Sequence, residues 1–144
     1  MFSRGFTLME IVVVVALVFI FSTLSFGTYK VFQFRSNLDT AVANVFSACR
    51  RAQAQAQANL GDAPWGVKLQ TSGGTIFKGA SWSGRDTSAD ENFSLTLNLQ
   101  LAGASEIIFA KMTGWPLGGA TNLTLTFNND SKQININSRG IISY

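Results

Sequence analysis

Glu10 is the residue whose chemistry most needs explaining. Residues 11–21, IVVVVALVFIF, contain no polar side chain, and between Phe6 and Phe26 only Thr7, Glu10, Ser22, Thr23 and Ser25 interrupt the apolar run. A carboxylate in such surroundings is strongly unfavourable unless it lies at an interface, is protonated or is paired. The chemistry open to Glu10 is a charge-assisted hydrogen bond from a cation that another chain brings to it. The free amine of a neighbouring chain would serve, provided that chain begins near Phe6. That arrangement requires cleavage after Gly5.

Other reactive constellations are scarce. The chain has no histidine and a single cysteine, Cys49, so it lacks an imidazole base, an ordinary triad, a zinc set and an intrachain disulfide. No glycine-rich phosphate loop leads into a helix. An enzyme is not expected, and no cofactor or metal is implied. Arg85, Asp86, Asp90 and Glu91 fall in GASWSGRDTSADEN, residues 79–92, which reads as a loop. Its acids invite a calcium site, but the regular spacing of oxygen donors in a calcium loop is absent. Trp115, in GWPLGG, either anchors the core or contacts a partner.

Lys and Arg outnumber Asp and Glu by 11 to 8, a net charge of +3. Residues 28–60 carry Lys30, Arg35, Arg50 and Arg51 against Asp39, whereas residues 61–144 carry equal numbers of each sign. Lys132 and Arg139 make only a meagre basic stripe, so nucleic acid is not the expected partner.

The elements that must position these groups follow from pattern. Phe6–Phe26 as a helix spans roughly 31 Å and matches a hydrocarbon core of ~30 Å, so a membrane-spanning helix is expected, with Gly27 as a local bend. A cleaved secretory signal fits less well, because the run is long and contains Glu10. Farther on, Leu38, Val42, Val45, Cys49, Ala52 and Ala56 draw one apolar seam along a helix, which Gly61 to Pro64 stop. The seam is expected to pack on a sheet in the same chain. Cys49, on the seam, reads as a small buried hydrophobe. Gln53, Gln55 and Gln57 read as helix formers facing solvent or neighbours.

MFSRG followed by FTLMEIVVVVALV resembles the processing site of type IV prepilins and type II secretion pseudopilins. The resemblance implies that a prepilin peptidase cuts after Gly5, that Phe6 becomes the methylated first residue, and that Glu10 guides subunit assembly. It also implies partners: other pilin or pseudopilin subunits, the peptidase and methyltransferase, and an inner-membrane assembly platform. The stem ACRRAQAQAQANLG and the ending QININSRGIISY are similar to the minor pseudopilin H and FimT-like branch, with Gly140 at its recurrent glycine. The implied function is a minor subunit of a secretion pseudopilus or type IV pilus, acting at the tip or in initiation. The implied localisation is the bacterial inner membrane and a filament, with the distal domain outside the cytoplasm. A DNA-binding minor pilin, or a simple membrane-anchored domain, is the alternative.

Past Pro64 the apolar period falls to two. Strands are expected around Trp65–Leu69, Thr75–Lys78, Phe93–Leu101, Ile107–Lys111, Leu123–Phe127, Ile134–Ile136 and the carboxyl end, with a hairpin at Asn128–Asp130. The expected class is α+β: a long amino-terminal helix, half transmembrane and half amphipathic, on one mainly antiparallel sheet, pilin-like. The expected division is 1–5 leader, 6–27 transmembrane and assembly helix, 28–60 amphipathic helix, and 61–144 β-rich domain.

Overall fold

The computed structural model describes the backbone of residues 6–95 and 98–144, and the side chains of these residues apart from 23–32 and 34. Two compact units divide the chain, the first ending at Ser36 and the second spanning Asn37–Tyr144. Helix α1 runs Leu8–Gln57, and its described side chains form two helical stretches of about 15 and about 23 residues. The expected leader, Met1–Gly5, lies outside the described residues, as do the side chains at the far end of the expected membrane segment.

The expected class needs correction on two counts. Among the described residues no helix is long and apolar enough to cross a membrane. The second count is the sheet: among the described residues there are two, not one. The protein is a small α+β molecule with two four-stranded antiparallel sheets.

In the second unit α1 ends where Asn59 turns left-handed at φ 51°, a conformation asparagine tolerates at a helix terminus. The 3-10 turn Leu60–Asp62 follows. The first sheet has the order β3-β2-β1-β5, formed by β1 (Trp65–Gln70), β2 (Gly73–Lys78), β3 (Asp86–Ser94) and β5 (Glu106–Phe109). The second has the order β4-β6-β7-β8, formed by β4 (Gln100–Gly103), β6 (Thr121–Phe127), β7 (Asp130–Ile136) and β8 (Ile142–Ser143). The β6–β7 hairpin closes with Phe127 opposite Asp130, and Asn128 adopts a positive φ of 53° in its turn.

The spacing of the seam is matched by burial. Leu38, Val42, Val45, Cys49, Ala52 and Ala56 are all buried in one cluster with residues of both sheets. Val67, Leu69 and Phe109 come from the first sheet, and Leu123, Leu125, Ile134 and Ile136 from the second. Along the seam the bulkier residues sit lower and the alanines higher, nearer the end of α1.

The expected strand Phe93–Leu101 is broken. Its first residues end β3 and its last begin β4, so the chain leaves one sheet and enters the other between them. Leu95 and Leu99 are buried there, and their amides donate to the carbonyl oxygens of Ser72 and Thr71, each at 2.8 Å. Leu95 and Leu99 thus fill the core between the end of β3 and the start of β4. The opposite error occurs just before it: Asp86–Asn92, expected as loop, belongs to β3. This edge strand shows almost no apolar alternation, because neither of its faces is fully buried.

Candidate functional site

In the first unit the site is the start of α1. The backbone amide of Glu10 donates to the carbonyl oxygen of Thr7 at 3.1 Å and to its Oγ1 at 3.3 Å, so Thr7 caps the helix. Glu10 in the first turn also complements the positive end of the helix dipole. Phe6 and Glu10 are exposed, and so is each apolar side chain from Leu8 to Phe21, Leu8 at 84% and Phe21 at 67%. Gly5 lies outside the described residues. Apart from Glu10 the stretch is apolar around its circumference, and its side chains are exposed.

The acids of residues 79–92 are committed elsewhere. Asp90 receives the Nε–H of Arg85 at 2.9 and 3.2 Å on its two oxygens, while the guanidinium lies 3.5 Å from the centroid of the Trp82 ring. Glu91 pairs with Arg51 at 2.8 Å and accepts from Gln55 Nε2 at 3.3 Å. Asp86 accepts from the hydroxyl of Ser88 at 2.6 Å and faces Lys78 at 3.6 Å. The Ser88 hydroxyl and amide, then Lys78, hold the Asp86 carboxyl below its ordinary pKa. Asp62 is lowered in the same way by its hydrogen bond from Lys111 at 2.9 Å, with Asn59 adding to it. Among the described residues no group of three His, Cys, Asp or Glu is placed to hold a metal.

Cys49 is buried in the seam, and desolvation pushes its thiol up to about 12. It stays a neutral thiol at ordinary pH. A shallow cavity of about 290 Å³ lies between α1 and β3, with Ala48, Ile76 and Phe93 among its lining residues. Its arginine, Arg51, is already paired with Glu91.

Two features stand out at the end of the distal unit. Gln53, expected to face solvent or neighbours, is buried, and its Nε2 donates to the carbonyl oxygens of Gly114 at 3.0 Å and Gly140 at 2.7 Å. One amide thus ties α1 to two loops. A side chain at Gly140, φ 76°, would strike both Gln53 Nε2 and Gly114 O, a physical reason for glycine there. The second feature is the loop Gly114 belongs to. Trp115 is 54% exposed, so it is not a core anchor, and Met112 and Leu117 are exposed beside it. Glu10 belongs to the first unit and Trp115 to the second. No family model, curated protein or solved structure matches the chain.

Proposed function

We propose that this chain is a minor subunit of a type IV pilus or type II secretion pseudopilus, and that it assembles through its amino-terminal apolar helix. One observation supports this most: the stretch Leu8–Phe21 that opens α1 carries exposed apolar side chains around its circumference, and a lone carboxylate, Glu10, stands in its first turn. Burying such a helix among like helices removes apolar surface from water, at about 25 cal/mol per Å². The same burial would strand Glu10 unless a cation meets it.

Cleavage between Gly5 and Phe6 supplies that cation as the amine of the next subunit. A subunit seated one register too high or low leaves its carboxylate unpaired, so Glu10 selects axial position by penalising the wrong one. The distal domain, held by packing and sheet hydrogen bonds with no disulfide, then projects from the assembly. Residence at the bacterial inner membrane before assembly belongs to the same proposal, which does not require a bilayer-crossing helix among the described residues. The test is the chemical identity of the mature amino terminus, with incorporation of Glu10→Ala as its companion.

A further inference from the structure

We propose that the loop bearing Met112, Trp115 and Leu117, with Arg139 beside it, docks an apolar, carboxylate-bearing segment of a partner protein. This inference does not rest on the reading of the amino-terminal segment.

The loop is built to hold its shape. The amide of Met112 donates to Ala56 O at 2.8 Å, Ala110 to Trp115 O at 2.7 Å, and Leu117 to Ile108 O at 2.8 Å. Pro116 bridges Phe109 and is buried, so Trp115 and Leu117, its two neighbours in an extended segment, present the opposite, exposed face. Covering the edge of β5 accounts for the backbone path and for Pro116. It does not account for a tryptophan and a leucine aimed outward, or for Met112, 70% exposed at a φ of 69° that L-residues adopt reluctantly. A pre-ordered apolar surface loses little entropy on binding, and tryptophan and arginine are the side chains most enriched where binding energy concentrates.

Charge indicates what the occupant carries. In the distal unit six arginines and lysines stand in described ion pairs. Arg50 lies 5.4 Å from the centroid of the Phe46 ring. Among the described residues Arg139 has neither an ion pair nor a ring contact, and it is exposed. Its neighbour Gly140 shares the Gln53 amide with Gly114, which brings the backbone at residue 139 close to that of the apolar loop. A carboxylate on the partner complements Arg139. Three side chains and one arginine fall well short of the ~800 Å² per partner of a standard interface, so the occupant is a short segment.

The test places a photoreactive benzoylphenylalanine at Leu117 in the full chain, in cells that make it, and identifies the crosslinked peptide by mass spectrometry. The proposal expects a partner protein joined at an apolar segment with an Asp or Glu within a few residues. Arg139→Glu should cut the yield about fivefold, as loss of an exposed ion pair implies, and Arg139→Lys should keep most of it. Changing the partner's acid to Lys should restore the yield with Arg139→Glu. Four results would overturn the proposal: no adduct, an adduct to nucleic acid, an adduct to a second copy of this chain, or a yield indifferent to Arg139→Glu.

Discussion

The side-chain amide of Gln53 and the carbonyl oxygen of Gly140 lie 2.7 Å apart, although 87 residues separate them in the chain. The same nitrogen also reaches Gly114 O. A helix residue therefore fixes the spacing of the loop that bears Trp115 and the turn that bears Arg139. Replacing Gln53 by Leu leaves two buried carbonyl oxygens without this donor. The expected loss is about 2–3 kcal/mol in the unfolding free energy of the full chain, read by denaturant titration. A loss under about 0.5 kcal/mol would show that the clamp does not hold the two loops.

Cys49 should be unreactive while the protein is folded. With its thiol pushed up to about 12 by burial, the thiolate fraction at pH 8 is on the order of one in ten thousand, and access is blocked as well. Alkylation by iodoacetamide at pH 8, followed by mass, should proceed only in denaturant. Rapid modification of the native protein would contradict the placement of the seam.

Asp62 and Asp86 make stability depend on acid. Both carboxyls titrate below their ordinary value in the folded chain, Asp62 chiefly through Lys111 and Asp86 chiefly through Ser88. The unfolded chain therefore binds protons first as pH falls. The stabilisation is fully present above the unfolded carboxyl value near ~4 and is lost as pH drops through the lower folded values. Both groups are exposed, so the effect is small and screened by salt. The double variant Asp62→Asn, Asp86→Asn should show a flatter decline in unfolding midpoint between about pH 4.5 and 2.5 than the parent. Equal slopes would mean that these hydrogen bonds are not held in solution.

How far these features were legible in the residues depends on which signal each one leaves. The seam from Leu38 to Ala56 was readable because a helix packed on one side repeats its apolar residues every three or four positions. Strands β1 and β6 were readable because each buries one face. The single sheet was a misreading with a definite cause: Leu95 and Leu99 carry a strand's alternation while crossing between sheets. Strand β3 was missed because ion pairs, not apolar side chains, occupy its surface. Gln53 has no signature at all in one dimension, since glutamine is an ordinary solvent-facing helix former until two carbonyl oxygens converge on it. A tryptophan between glycine and proline suits either a core anchor or a partner contact, and only the 54% exposure of Trp115 separates the two.

Glu10→Ala tests the assembly role separately from folding. Its backbone contact with Thr7 is independent of the side chain, so leader removal and the fold of the distal unit should persist. Without the register-setting pair, incorporation into filaments should fall by about tenfold, the consequence of losing roughly 1.4 kcal/mol of discrimination. Quantitative immunoblotting of purified filaments against total cell protein measures it. Parent-level incorporation would remove Glu10 from the account.

The most direct measurement is the intact mass and amino-terminal peptide of the full-length protein recovered from cells that build filaments. The account predicts a chain that begins at Phe6 and carries one added methyl group on its amine. A chain still bearing Met1–Gly5 in those cells would leave the carboxylate of Glu10 with no incoming amine to meet, and would contradict the proposed assembly.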